Sequence, residues 1–209
     1  MDVENELRRI YRDPADPGSL GGIDRLLRRA QELAIPGVTR RSVEKFLKSK
    51  QAYTLHRPAR RRYVRNRTYV AGIDAQWQAD LADMQTLSRQ NGGMRYLLTV
   101  IDVFSKFAWA APVKTKHAAA ETAAFRQILE QAEPRRPNRL QTDKGKEFFN
   151  RNFAALMRRH GIQHFASESE QKAAVAERFY RTIKTRIWTY LSDRGTVRWV
   201  DIIGQLVDA

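Results

Sequence analysis

The chain has 209 residues, of which 38 are Lys or Arg and 23 are Asp or Glu, so its formal net charge is +15. This charge attracts polyanions and indicates a nucleic-acid partner, although composition alone is equally compatible with a basic protein that has no particular ligand. The chain contains no cysteine, which excludes disulfides, thiolate zinc sites and cysteine nucleophiles. No window approaches the ~18 apolar residues of a membrane span, and an intracellular, soluble protein is predicted.

The first predicted unit is a small helical domain over residues 1–52. A segment rich in Pro, Gly and Asp, residues 11–22, ends a short first helix. Apolar residues then recur at helical spacing from Ile23 to Leu33, and again after a Pro36-Gly37 break, where Thr39 is a candidate N-cap. The two helices are compatible with a helix-turn-helix and equally with a plain helical hairpin.

A basic linker is predicted over residues 53–72. Its residues 57–67 contain six arginines and no acid, so the segment is not expected to be buried. Arg60, Arg61 and Arg62 are candidate phosphate contacts, because the guanidinium fork matches phosphate oxygens. The alternative is a solvated connector.

The third predicted unit, residues 73–209, has alternating and continuous apolar runs that indicate strands. Three strands are predicted to form an antiparallel meander, with a hairpin turn at Asn91-Gly92: Trp77 to Met84, Tyr96 to Val103, and Phe107 to Val113. The later elements are predicted as a helix from Ala118 to Ala132, a strand ending at Gln141 or Thr142, a helix from Asn152 to Arg159, a strand from Ile162 to Phe165, and a helix from Ala173 to about Leu191. This order, βββαβαβα, predicts an α/β fold with a mixed five-stranded sheet flanked by helices.

Three acids lie at positions where this layout could form a catalytic site. Asp80 lies inside the first strand, Asp143 directly follows the fourth strand, and Glu177 is in the first turns of the last helix, outside its apolar stripe. Carboxylates are preferred ligands of Mg²⁺ and Mn²⁺, and three of them could hold two ions for phosphodiester chemistry. Each acid also has an ordinary alternative: an ion pair for Asp80, a turn cap for Asp143, and a surface position for Glu177.

Other polar residues compete with these three or support them. Asp83 is the main rival of Asp80, but three residues along a strand reverse the face. Asp102 lies in a neighbouring strand and could approach the metals, whereas Glu147, Glu168 and Glu170 are predicted to be solvated or capping acids. Arg181 and Lys184 follow Glu177 by four and seven residues, which puts them on its helix face. They are candidate DNA contacts, and pairing of these cations with Glu177 is the alternative. His56, His117, His160 and His164 lack ligand spacing and are assigned surface or packing roles.

Four segments, in order, resemble the strand, hairpin, loop and helix motifs of the retroviral-type (DDE) integrase core. They are Trp77-Gln78-Ala79-Asp80, Ile101 to Lys106, Gln141 to Phe148, and Glu177 to Lys184. The resemblance implies a ribonuclease H-like fold, and two Mg²⁺-dependent reactions: hydrolysis at 3′ ends and strand transfer into target DNA. It assigns the metal-binding catalytic acids to Asp80, Asp143 and Glu177, favours Asp80 over Asp83, and places basic DNA contacts at Arg181 and Lys184.

Two further segments are similar to the integrases of Polinton (Maverick) transposons: Asp16 to Gly22 and Gln51 to His56. The chain departs from retroviral relatives at Lys144, where Asn is usual, and at Ala173-Ala174, which replace a Gln-Gly pair. Thirty-three residues lie between Asp143 and Glu177, slightly fewer than in those relatives. The zinc module and a C-terminal β-barrel or chromodomain are absent, so an incomplete integrase is expected.

The predicted function is that of a DNA integrase or transposase core that inserts mobile-element DNA, acts as a homo-oligomer on double-stranded DNA, and works in the nucleus, or in the cytoplasm or nucleoid of a prokaryote. Two alternatives remain open. One is a bacterial insertion-sequence transposase with the same triad, and the other is a catalytically silent DNA-binding protein derived from an integrase.

Overall fold

The computed structural model describes residues 2–56, 69–166 and 174–208. Arg60, Arg61 and Arg62 of the predicted basic linker lie outside the described residues, as do Glu168 and Glu170. Contacts between α-carbons divide the chain into two compact units. Described residues 2–56 and 183–208 belong to one unit, and described residues 69–182 belong to the other.

The first unit is helical. Its helices are α1 (Val3–Arg12), α2 (Ile23–Glu32), α3 (Arg40–Lys48), α4 (Gln51–His56) and the C-terminal α8 (Ile203–Asp208). Thr39 caps α3 as predicted: its hydroxyl accepts a hydrogen bond from the Ser42 amide, and the Ser42 hydroxyl accepts one from the Thr39 amide. Helix α4 was not predicted, and it extends into the segment predicted as a linker.

The second unit is built on a five-stranded mixed sheet. Its strands are β1 (Gln76–Asp83), β2 (Tyr96–Asp102), β3 (Ala108–Val113), β4 (Arg139–Thr142) and β5 (Gln163–Ala166), in the order β3-β2-β1-β4-β5. The pairs β1–β2 and β2–β3 are antiparallel, whereas β1–β4 and β4–β5 are parallel. The predicted fold class is therefore confirmed, including the antiparallel meander.

The two faces of this sheet are covered differently. One face carries the main apolar core, in which Trp77 and Leu140 pack with residues of α5 (Ala118–Gln131) and α6 (Arg151–Arg159). On the opposite face, Ile101 packs against Ala176 in the first turn of α7 (Ala174–Arg194). Because side chains alternate along a strand, Gln78 and Asp80 lie on the same face of β1 as each other and opposite to Trp77.

The predicted hairpin of the first two strands is confirmed, but its connection also contains an element that was not predicted. A short 3-10 helix, Gln85–Gln90, occupies this connection, and the amide of Asn91 donates to the carbonyl of Ser88. The side-chain amide of Asn91 donates to the Leu87 carbonyl at 2.7 Å. Asn91 thus ends a helical turn, and the positive φ angles fall on Gly92 and Gly93. None of the described helices is long and apolar enough to cross a membrane.

Candidate active site

Asp80 lies inside β1, and Asp143 directly follows the last residue of the neighbouring parallel strand β4. In the β1–β4 ladder, Gln78 pairs with Gln141, and the described pairing ends there. Asp80 lies two residues after Gln78 on the same face of β1, and Asp143 lies two residues after Gln141, beyond the end of β4. Asp80 is half-buried and Asp143 is exposed.

A chain of buried glutamines connects this pair to α7. The side-chain amide of Gln78 donates to the Gln141 side-chain oxygen at 2.9 Å. Its own side-chain oxygen accepts hydrogen bonds from the Val175 and Ala176 amides, each at 3.0 Å. These are amides of the first helical turn, which have no partner within the helix. Gln78, only 2% exposed, therefore fastens the start of α7 to the strand two residues before Asp80.

Glu177 is the residue after Ala176, whose amide donates to Gln78. It is half-buried, whereas Ala176 is fully buried against the sheet. The described part of this helix runs from Ala174 to Arg194, three residues beyond the predicted end near Leu191. Arg181 lies one turn after Glu177 on the same helix face, and Lys184 lies one turn further, in the part of α7 that belongs to the first unit.

The donor set matches a hard divalent cation, since all three candidate groups are carboxylates. Two of them belong to neighbouring strands or directly follow one, and the tether brings the backbone of the third onto the sheet face of Gln78. Within the described ranges, however, no three acidic or histidine side chains form a group able to hold a metal ion. One oxygen of Asp143 instead accepts a hydrogen bond from the Gly145 amide at 3.3 Å, which is the turn-capping alternative.

A buried acid that sequence reasoning missed lies close to this loop. Glu121, in the first turn of α5, is fully buried, and neither of its carboxyl oxygens has a hydrogen-bond partner. Burial, and after it the charge of Glu147, raises the pKa of Glu121 to about 8; Lys116 lowers this pKa and Asp143 raises it further. Glu121 therefore carries a proton at neutral pH. The sequence signal for this burial is the position of Glu121, an acid within the apolar stripe of a predicted helix.

The rival acids occupy other places. Asp83 is exposed, and its carboxylate accepts hydrogen bonds from the backbone and side chain of Gln85 at the start of the 3-10 helix. Asp102 is fully buried and pairs with Arg135 at 3.0 Å. It pairs with Trp77 across the β1–β2 ladder. Trp77 lies three residues before Asp80, so Asp102 lies on the sheet face opposite to that of Asp80. The hypothesis that Asp102 approaches the metals is therefore not supported by its position.

His164 has a packing role. Its ring stacks on Phe149 with centroids 4.5 Å apart, and its Nε2 lies 2.9 Å from the Thr142 hydroxyl. Burial lowers the pKa of His164 to about 4, so the ring is neutral at physiological pH.

Comparison with known proteins finds similarity over the region that contains Asp80 and Asp143. Residues 73–172 match the family model of the integrase core domain. A transposon-derived protein of Caenorhabditis elegans is 30% identical over 125 residues, which are 60% of this chain and 43% of that protein. The retrovirus-related Pol polyprotein from transposon TNT 1-94 of Nicotiana tabacum is 33% identical over 103 residues, 48% of this chain and 8% of the polyprotein. The chain thus spans less than half the length of either relative.

Solved structures share the fold. A chain from the simian T-cell lymphotropic virus intasome, in complex with the PP2A regulatory subunit B56 gamma, has a TM-score of 0.58 and 17% identity, covering 85% of this chain and 62% of that one. The HTLV-2 integrase catalytic core domain in complex with magnesium has a TM-score of 0.54 and 20% identity in its dimeric form, covering 65% of this chain and 85% of that one. Its trimeric form gives the same TM-score at 19% identity. The described fold is the RNase H-like fold of integrase catalytic cores.

Proposed function

We propose that this chain, whose residues 73–172 match an integrase core domain, is the catalytic core of an integrase or transposase that processes the 3′ ends of element DNA and joins them to target DNA. Asp80, Asp143 and Glu177 are its catalytic acids. The observation that carries the proposal is the Gln78 tether, which ties the helix of Glu177 to the strand of Asp80 beside the strand of Asp143.

The three acids would hold Mg²⁺, or Mn²⁺ in its place, and the bound ions would supply activation of the attacking oxygen and stabilisation of the leaving oxygen. The chain's own glutamines position the catalytic acids. Gln78 keeps the helix of Glu177 on the face of β1 that carries Asp80, and Gln141 keeps the two parallel strands in register on that face. No covalent protein nucleophile is required, because water or a DNA 3′-hydroxyl attacks.

Cationic side chains are the proposed DNA contacts. Arg181 and Lys184 continue the helix face of Glu177, where they would contact phosphates or bases beside the reacting strand. Arg60, Arg61 and Arg62, in the basic linker, would bind the flanking phosphates. Since joining two DNA ends requires two active sites, we propose that a homo-oligomer acts on double-stranded DNA, in the nucleus or in a prokaryotic nucleoid.

The narrower assignment to Polinton-type elements rests on the segments Asp16 to Gly22 and Gln51 to His56. The first of these forms a defined loop, in which the Asp16 carboxylate accepts from the Gly18 amide at 2.7 Å and pairs with Arg29 at 3.1 Å. Cleavage of Polinton end sequences in preference to insertion-sequence ends would support this assignment over a bacterial transposase.

The test is the joining of a labelled oligonucleotide to a supercoiled plasmid in Mn²⁺, which requires no knowledge of the native end sequence. Glu177→Gln removes one anionic ligand at nearly constant volume. It is expected to abolish joining and nicking, while DNA binding in EDTA stays within about twofold of the unsubstituted chain. Asp83→Asn is the matched control, because Asp83 lies on the same strand as Asp80 but on its opposite face, and it should retain full activity.

Two results would contradict the proposal. Full joining activity in the Glu177→Gln variant would remove the role assigned to that residue. Absence of metal-dependent nicking and joining by the unsubstituted chain, together with intact DNA binding, would favour the catalytically silent DNA-binding protein.

A further inference from the structure

A groove of about 670 Å³ opens at the carboxyl ends of β4 and β5. It is lined by Lys144, Phe149, Phe165 and Ala166, and we call it the aromatic groove. Its volume lies within the range of about 300–1,000 Å³ that is typical of small-ligand sites. The groove begins at Lys144, the residue that follows Asp143, so any group bound in it lies next to the candidate active site.

Phe149 presents an aromatic surface that the core does not use. The adjacent Phe148 is 1% exposed and packs edge-on against Phe153, with centroids 5.4 Å apart. Phe149 is 46% exposed, and its contact is the stacked ring of His164 at an interplanar angle of 28°. Stacking covers one face of a flat ring, and the high exposure leaves the rest available to a second flat group.

Lys144 gives the groove a positive charge, since it lines the groove and is exposed to solvent. The groove therefore combines the exposed ring of Phe149 with a cation. This is the composition with which proteins bind single-stranded nucleic acid, since bases stack on the rings and cations bind the phosphates.

The occupant has to offer a free aromatic face and a negative charge. A base inside a duplex is paired and stacked on both sides, so its faces are not available to a side chain. A base of an unpaired strand end satisfies both conditions. We propose that the aromatic groove binds one unpaired nucleobase of the DNA strand, stacked on Phe149, with its phosphate at Lys144. This inference rests on the proposed function, because it places the strand end beside Asp143.

The experiment measures base stacking in the absence of metal. The probe is a short duplex with a two-nucleotide unpaired extension that contains 2-aminopurine, whose fluorescence is quenched by stacking; a blunt duplex of the same sequence is the reference. In EDTA, the unsubstituted chain is expected to quench the extension and to bind it about tenfold more tightly than the blunt duplex, as one stacked base provides.

Phe149→Ala should remove the quenching and the preference, and leave the affinity for the blunt duplex unchanged. Phe149→Trp should retain both effects, and Lys144→Ala should weaken the preference. The matched control is Phe104→Ala, which removes a ring that is 53% exposed on the loop between β2 and β3 and should change nothing. Circular dichroism of each variant identifies any loss of folding, and in that case the Phe149→Trp and Lys144→Ala results decide.

Three outcomes would overturn the inference. The first is equal binding of both probes by the unsubstituted chain, and the second is an unchanged preference in Phe149→Ala. The third is dissociation of an oligomer by Phe149→Ala in sedimentation, which would assign the groove to a second copy of the chain. Because the assay contains no metal, its result does not depend on catalysis and can be distinguished from a failure of the proposed function. If the chain joins DNA but shows no preference for the unpaired extension, only the inference about the groove is refuted. If it shows the preference but does not join DNA, only the catalytic proposal is refuted.

Discussion

At the scale of single residues, Gln78 connects the strand and the helix that carry two of the three candidate acids. An amide side chain suits this task because it can donate and accept at once. Gln78 donates to Gln141 and accepts from two amides of α7. A carboxylate in its place would accept but not donate, and an apolar residue would leave the amides of Val175 and Ala176 without this acceptor.

Gln78→Ala is expected to reduce joining activity by about 10- to 100-fold, because small displacements of catalytic groups have effects of this size. The chain should remain folded, with a loss of about 1–3 kcal/mol in the free energy of unfolding from the unpaired buried amides. Hydrogen exchange at Val175 and Ala176 should become faster.

The matched control is Gln76→Ala. Gln76 lies on the same strand face and also donates to Gln141, and its substitution should affect exchange in α7 and joining much less. Equal effects of the two variants would show that the tether does not position Glu177.

Glu121 makes a second prediction at this scale, in the pH dependence of stability. Its pKa in the folded chain is raised to about 8, above the value of about 4.3 in an unfolded chain. Between these two values the folded state holds a proton that the unfolded state has lost, so stability falls as pH rises from about 4 to 8.

Glu121→Gln should remove this contribution, whose slope is at most about 1.4 kcal/mol per pH unit. Urea unfolding at several pH values would show the variant gaining on the unsubstituted chain as pH rises. A constant difference between the two across this range would show that Glu121 ionises normally.

At the scale of elements, most strands and helices were predictable, but the connections between distant segments were not, and helices α4 and α8 were not predicted. The continuous apolar run of β2 and the periodic stripe of α5 are local patterns, so their positions were predicted to within one or two residues. The 3-10 helix at Gln85–Gln90 was missed because Asn91-Gly92 also suits a tight turn. The tether from Gln78 has no local pattern, since it depends on segments far apart in the sequence.

The hairpin of β2 and β3 is held by a buried charge cluster. Arg135 donates to Asp74 at 2.8 Å and to Asp102 at 3.0 Å, and its guanidinium lies 5.2 Å from the ring centroids of Phe107 and Trp109. Burial alone would raise the pKa of Asp102, but hydrogen bonds from the Ser105 side chain and backbone, and from the backbone nearby, hold that pKa below its usual value.

Asp102→Asn is therefore expected to lower the free energy of unfolding by about 2 kcal/mol at pH 7, because Arg135 loses a charged partner. A lowered carboxyl pKa stabilises above the unfolded value of about 3.9 and loses its effect as pH falls through the folded value. The difference between the two chains should thus shrink below about pH 4. Asp83→Asn, at an exposed position, should change stability by less than about 0.5 kcal/mol. A pH-independent difference would contradict this account of Asp102.

At the scale of the whole molecule, the proposed catalytic site combines segments that lie far apart in the sequence. The formal charge of +15 favours binding to phosphates. The sheet sets the strand of Asp80 next to the strand that Asp143 follows, and the Gln78 tether ties the helix of Glu177 to the same face. The central claim is that all three coordinate the same pair of ions.

The most direct measurement is anomalous scattering from crystals of the chain soaked in Mn²⁺. We expect density within about 2.0–2.6 Å of carboxylate oxygens from Asp80, Asp143 and Glu177, and none at this place in crystals of Asp80→Asn. Manganese bound elsewhere, or bound with Glu177 outside coordination distance, would contradict the assignment of this chain as a metal-dependent integrase.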